Sequence, residues 1–96
     1  MEKEEIKKEA VKIIRKYLPE EYKILLFGSW AKGDALKTSD LDIGILGKKE
    51  VAWELMHKIL EEMEEIQTLR SIDVVDLKST GKNYANKILE YAKPLA

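Results

Sequence analysis

Residues 26–46, LFGSWAKGDALKTSDLDIGIL, decide the fold of this chain. An apolar run ends in the turn Gly28-Ser29, and a polar connection follows it. A second apolar run then begins with two acids, Asp40 and Asp42. Glycine and serine at the start of a helix are typical phosphate ligands, and paired acids are typical metal ligands. This order predicts a phosphate-binding turn that faces a metal site.

Strand and helix patterns alternate along the rest of the chain. Unbroken apolar runs predict buried strands, and apolar residues spaced by three and four predict amphipathic helices. The predicted helices cover residues 2–18, 50–67 and 84–92, with a short one starting at Ser29, and the predicted strands cover 23–27, 41–46 and 71–77. This order predicts an α/β fold in which helices cover a small sheet.

Three aromatic residues, Trp53, Tyr84 and Tyr91, stand at helical spacing, and we predict that they pack against the core. The single histidine, His57, falls on the polar side of the predicted helix 50–67, where we predict that it is solvated.

Length and composition restrict the protein's class. The 96 residues, of which 45% are hydrophobic and 36% charged, predict one globular domain spanning residues 1–96. A net charge of −1 gives no reason to expect nucleic acid as a partner. The chain has no cysteine, no apolar leader and no apolar run long enough to span a bilayer. We therefore expect a soluble cytoplasmic protein without a membrane partner.

Asp40 and Asp42 are two residues apart at the start of a predicted strand. Alternate strand residues point to the same side, so both carboxylates face one site. Two carboxylates held this close repel each other, and a hard divalent cation such as Mg²⁺ relieves the repulsion. With Gly28 and Ser29 placed to hold phosphate, the residues fit a nucleoside triphosphate bound through metal.

A third acid is available in the predicted strand 71–77. Asp73 and Asp76 are three apart, so they point to opposite faces and only one can join the pair. We favour Asp73 because it lies nearer the middle of the run, and Asp76 stays the alternative. Three carboxylates could hold two Mg²⁺ ions, one at an acceptor oxygen and one at the triphosphate.

A known family shares this pattern. Gly28-Ser29, ten further residues and then Asp40-Leu41-Asp42 resemble the signature of the DNA polymerase β-like nucleotidyltransferases. The run GSWAKG, followed by SDLD, resembles the minimal nucleotidyltransferase branch of that family. The resemblance implies a polymerase β palm-like fold with a small mixed sheet. It also implies Mg²⁺-dependent transfer of AMP from ATP to a hydroxyl, with release of pyrophosphate.

The resemblance also implies roles for single residues. Asp40, Asp42 and Asp73 would be the catalytic and metal-binding acids, and Gly28, Ser29, Lys32 and Ser39 would bind the nucleotide. The family often has arginine where this chain has Lys32, and lysine keeps the charge but loses the bidentate fork.

A partner is expected from size and from the resemblance. A chain of 96 residues leaves little room for an acceptor pocket, so a partner protein or self-association must present the acceptor. Members of this branch are commonly paired with a small helical HEPN toxin, which they neutralise as antitoxins by adenylylating a tyrosine. Two alternatives remain: an antitoxin that only docks, with a vestigial nucleotide site, and an enzyme that modifies a small molecule such as an aminoglycoside.

Overall fold

The structure, a computed structural model, describes residues 3–28, 31, 40–68 and 71–96. Helices and strands follow the order α1 (Lys3–Tyr17), β1 (Lys23–Phe27), β2 (Leu41–Leu46), α2 (Trp53–Met63), β3 (Ile72–Asp76), α3 (Lys82–Leu89) and β4 (Lys93–Pro94). The predicted α/β class is confirmed. The short helix predicted from Ser29 lies outside the described residues except for Ala31, which is helical and buried. No helix in the described ranges has the length and apolar character needed to cross a bilayer.

The four strands found in the described residues form one mixed sheet in the order β3-β2-β1-β4. β1 pairs antiparallel with β2 and with β4, whereas β2 and β3 are parallel. The parallel pair is possible because α2 provides the crossover between the two strands. β4 was not predicted, because two residues that include Pro94 carry no strand pattern. It is recognisable only by its pairing with Leu25 and Leu26.

Helices cover the two faces of the sheet unequally. α1 and α2 pack on one face, where the largest fully buried side chains are Ile6, Ile14, Ile24, Leu41, Ile43, Ile45 and Ile59. On the other face, Ile88 of α3 packs against Leu25 and Phe27 of β1. The predicted apolar stripe of α1 therefore does form the core, whereas in α3 only Ile88 is buried and Leu89 is 42% exposed. The part of the second face that lies along β2 and β3 carries the acids described below.

α2 is shorter than predicted. The pattern over residues 50–67 predicted one long helix, but the helix begins at Trp53 and ends at Met63. Val51 is buried as predicted, yet its backbone N–H donates to Oδ2 of Asp76 at 2.7 Å, and Ala52 is extended with ψ 137°. The extended backbone at Ala52 thus starts the helix at Trp53, and the carboxylate of Asp76 in β3 holds the segment before it.

The predicted packing of the aromatic residues is partly wrong. Trp53 is 75% exposed and Tyr84 is 50% exposed, whereas Tyr91 is partly buried and packs against the core as predicted. Leu60, which the helical pattern placed on the buried face, is 39% exposed. His57 is exposed as predicted, and its Nε2 lies 2.6 Å from Oε1 of Glu61.

Candidate active site

Asp42 and Asp73 lie side by side on neighbouring strands. In the parallel pairing of β2 with β3, Asp42 is the register partner of Asp73 and Ile43 is the partner of Val74. Side chains alternate along a strand, so Ile43 points into the core beneath α1 and α2, and both acids point to the opposite face. The structure thus brings together two of the acids that the sequence singled out.

Asp40 precedes β2 and is exposed, but its charge reaches Asp42. The pKa of Asp42 is raised above its ordinary value, first by burial and then by the negative charges of Asp73 and Asp40. The charges of Asp73 and Asp40 therefore both act on Asp42.

The acids fit a divalent cation in their chemistry. Like charges that raise the pKa of a neighbour are stabilised by a positive ion, and carboxylate oxygens are the ligands that Mg²⁺ prefers. In residues 3–28, 31, 40–68 and 71–96, however, no three acidic or histidine side chains stand close enough to form a complete metal-binding group. A bound ion would draw Asp40 towards the pair formed by Asp42 and Asp73.

Gly28 lies directly against the carboxylate of Asp42. β1 ends at Phe27, whose register partner is Asp42, and Gly28 then turns the chain with a φ of +73°. A Cβ placed on Gly28 would lie 2.2 Å from Oδ2 of Asp42. Only glycine allows this backbone conformation and this approach together. The predicted phosphate-binding turn and the predicted acids therefore adjoin at Gly28.

Three predicted nucleotide ligands, Ser29, Lys32 and Ser39, lie outside the described residues. Ala31 stands among them in the sequence, and its backbone N–H donates to the carbonyl oxygen of Gly28 at 3.2 Å.

Asp76 is turned away from the acids. It is 8% exposed, and its register partner Ile45 belongs to the core on the other face of the sheet. Its carboxylate accepts hydrogen bonds from the backbone N–H groups of Val51 and Lys78, at 2.7 and 3.0 Å. Of the two acids that the sequence offered in this strand, the structure places Asp73 beside Asp42 and gives Asp76 a role in holding the loop before α2.

An open cavity of about 330 Å³ adjoins Asp73. Glu64, from the turn after α2, and Ser71, from the segment before β3, are among the residues that line it. Sequence reasoning missed this cavity, because Glu64 reads as one more charged residue of a helix and Ser71 as the start of a strand. The space lies where a second substrate could approach Asp73.

Comparison with known proteins agrees with this geometry. The family model described as "Polymerase beta, Nucleotidyltransferase" matches residues 8–96. The chain belongs to this family. The family that Gly28-Ser29 and Asp40-Leu41-Asp42 indicated is thereby confirmed.

Two curated relatives carry the name MntA. The chain is 28% identical over 89 residues to the protein adenylyltransferase MntA of Shewanella oneidensis, an alignment that covers 88% of this chain and 60% of the relative. It is 30% identical over 74 residues to a "Probable protein adenylyltransferase MntA" of Haemophilus influenzae, covering 77% of this chain and 65% of that relative. The chain thus spans less than two thirds of the length of each.

A solved structure, described as a toxin-antitoxin with AMP-PNP, shares the fold. It superposes with a TM-score of 0.69 and 26% identity, covering 94% of this chain and 72% of the other. The predicted polymerase β-like nucleotidyltransferase fold is therefore confirmed.

Proposed function

We propose that this chain is a Mg²⁺-dependent adenylyltransferase that transfers AMP from ATP to a hydroxyl of a partner protein. The observation that carries the proposal is the pair formed by Asp42 and Asp73, set directly against the glycine turn at Gly28. Family membership and the two relatives named as protein adenylyltransferases support it. We further propose that residues 1–96 act as one minimal catalytic domain in the cytoplasm.

The proposed reaction assigns a task to each group. Gly28, Ser29, Lys32 and Ser39 would hold the triphosphate, and Asp40, Asp42 and Asp73 would hold one or two Mg²⁺ ions. The bound metal would neutralise the charge that develops on the phosphates. Asp73 would orient the acceptor hydroxyl, whose oxygen forms a bond to the α-phosphorus. The bond from the α-phosphorus to the bridging oxygen breaks, pyrophosphate leaves, and the hydroxyl proton passes to a carboxylate or to water.

The partner would be a helical HEPN-type toxin, and the acceptor one of its tyrosines. The structural relative that is described as a toxin-antitoxin with AMP-PNP supports both a partner of this kind and ATP as the donor. The chain would then act as an antitoxin that neutralises its partner by modifying it. The proposal is compatible with a homo-oligomer of the chain.

The test measures which phosphate of ATP is transferred to the partner protein. The protein is mixed with Mg²⁺, the helical partner protein and ATP labelled on either the α- or the γ-phosphate. We expect label to reach the partner from the α position only, and to be lost in Asp42→Asn and Asp73→Asn. Glu90→Gln is the matched control, because Glu90 is an exposed acid at the end of α3. Transfer from the γ position alone would make the protein a kinase and overturn the proposal.

One observation favours a second candidate, an antitoxin that neutralises its partner by docking alone. No complete three-acid metal group exists within the residues that the structure describes. The double substitution Asp40→Asn and Asp42→Asn separates the two candidates. If the folded double variant neutralises the toxin as well as the wild type does, docking is the function, and if neutralisation is lost, catalysis is required.

A further inference from the structure

An apolar groove runs along the edge of the molecule between α2 and β3. Trp53, Met56 and Leu60 form one stripe along α2, and Val74 of β3 faces it across an open space of about 620 Å³. β3 is an edge strand, so the groove lies at the side of the sheet. We call this surface, defined by Trp53, Met56, Leu60 and Val74, the α2–β3 groove.

The groove exposes side chains that proteins usually bury. Trp53 is 75% exposed and Leu60 39% exposed, although their helix packs firmly through Ile59 and Met63. Tryptophan is among the residues most enriched at the centres of protein interfaces, and contiguous exposed apolar patches mark interaction sites. The α2–β3 groove therefore has the composition of a docking surface.

The charges beside the stripe determine the kind of partner. Successive helix residues are turned by about 100°, so Glu54 and Glu61 lie one step around the helix from Trp53 and Leu60. Glu64, one turn after Leu60, continues this acidic border beyond the end of α2. His57 also lines the groove, and its Nε2 lies 2.6 Å from Oε1 of Glu61, so Glu54 and Glu64 are the acids left to meet a partner. This border complements apolar side chains that are flanked by lysine or arginine.

The groove leads towards the candidate active site. Its Trp53 end lies beside Asp76, at the end of β3, and α2 then runs back towards the start of that strand. Beyond Leu60 comes the cavity lined by Glu64, Ser71 and Asp73. From Trp53 to Leu60 the helix advances about 10 Å, or two turns. A helix of two or three turns lying in the groove would therefore end at this cavity, which adjoins Asp73.

We infer that the α2–β3 groove is the docking site of the acceptor protein, and that it takes a helical segment whose apolar stripe is flanked by lysine or arginine. The segment brings the acceptor hydroxyl to Asp73. That the docked protein is the acceptor rests on the proposed function, but binding of a peptide in the groove can be measured without catalysis.

The test uses a synthetic helical peptide of about 16 residues, with leucines at positions i, i+3 and i+7, lysines on both flanks and one tyrosine near one end. We expect it to bind the full chain, and Trp53→Ala with Leu60→Ala to weaken its binding at least tenfold. The matched control, Tyr84→Ala with Leu89→Ala, removes exposed residues of the same kind from α3, which lies outside the groove, and should change binding less than twofold. All variants are first checked for an unchanged melting temperature.

A second set of variants tests the charge. Glu54→Lys with Glu64→Lys should weaken peptide binding several-fold, whereas Glu4→Lys with Glu5→Lys, an equal change of net charge on α1, should not. A peptide with glutamate in place of lysine should bind at least tenfold more weakly than the lysine peptide. The inference would be overturned if the two charge variants bound the lysine peptide equally well, or if the wild type bound the lysine and glutamate peptides equally well.

The outcomes separate docking from catalysis. The inference is overturned if the peptide fails to bind, or if it binds both apolar double variants equally. It is also overturned if the chain forms a concentration-dependent dimer that Trp53→Ala abolishes, because a second copy then occupies the groove. If Trp53→Ala with Leu60→Ala transfers AMP to a protein acceptor as fast as the wild type does, the proposed function stands and docking in the groove is wrong. If binding behaves as expected but AMP reaches no acceptor, the groove is confirmed as a binding surface and the proposed function fails.

Discussion

Asp42 on β2 and Asp73 on β3 are register partners in a parallel pair, and both point to the face of the sheet opposite the core that α1 and α2 cover. Two acids in adjacent positions repel each other when both are ionised. Burial and the charge of Asp73 therefore raise the pKa of Asp42 above its ordinary value of 3.8. This arrangement costs stability in the absence of a cation, and the same repulsion makes the position favourable for a metal ion.

Asp73→Asn should lower the pKa of Asp42 and flatten the dependence of stability on pH. A raised pKa in the folded state means that protonation favours folding, so this stabilisation is present below pH 3.8 and lost as pH rises through the raised value. Removing the charge of Asp73 reduces that loss, by no more than about 1 kcal/mol because solvent screens the site. Urea unfolding between pH 3 and 8 without Mg²⁺ measures it, with Glu90→Gln as the control. An unchanged pH profile in Asp73→Asn would contradict the prediction.

Mg²⁺ should stabilise the wild type more at pH 7 than at pH 4. A proton and a cation compete for Asp42, so the ion binds better once the carboxyl group has ionised. At a free concentration ten times its dissociation constant, the ion should add about 1.4 kcal/mol to the free energy of unfolding. Thermal unfolding with Mg²⁺ and with a chelator measures the difference. Asp42→Asn should lose the effect of Mg²⁺, and a response equal to that of the wild type would show that the ion binds elsewhere.

Gly28→Ala should abolish most of the AMP transfer. The new Cβ would lie 2.2 Å from Oδ2 of Asp42, and the φ of +73° disfavours any residue with a Cβ by about 1–2 kcal/mol. Asp42 must move, and a shift of about 1 Å in a reacting group costs roughly 10²-fold in rate. Gly81→Ala is the matched control, because a Cβ there meets nothing within 4 Å. Steady-state transfer rates of the two variants decide the prediction, which fails if they are equal.

The strands β1 and β2 agree with their predicted bounds because their signal is local. Each is a short, mainly apolar run ended by a polar turn, although Asp42 and Gly44 interrupt the second run. The rule that alternate residues share a face was enough to separate Asp73 from Asp76. The register that puts Asp73 beside Asp42 depends on the pairing of two distant segments, which no local pattern contains.

The wrong predictions for the bounds of α2 and for Trp53 have the same cause, since both features depend on contacts between distant parts of the chain. The apolar spacing continues on both sides of α2, but Ala52 is extended and Asp76, more than twenty residues further along the chain, holds the N–H of Val51. Trp53 reads as a core residue from its spacing, and it is exposed because α2 stands beside the edge strand β3. Helical periodicity identifies an apolar face, but it does not say whether the protein itself covers that face.

Asp76→Ala should destabilise the fold without removing activity. The buried carboxylate accepts the N–H groups of Val51 and Lys78, and leaving such donors unpaired costs about 2–3 kcal/mol. Urea unfolding should show this loss, with a smaller one for Asp76→Asn, which keeps one acceptor oxygen. Glu90→Gln, an exposed control, should stay within about 0.5 kcal/mol of the wild type.

The activity of Asp76→Ala then decides between the two acids of β3. Below its unfolding transition the variant should transfer AMP at close to the wild-type rate, because Asp76 points to the face opposite Asp42. Asp73→Asn, whose fold is intact, should lose about 10²–10³-fold in rate because a group that acts on the reacting atoms is gone. The reverse result, an inactive but folded Asp76→Ala and an active Asp73→Asn, would make Asp76 the third carboxylate. It would also require the end of β3 to turn over when nucleotide binds.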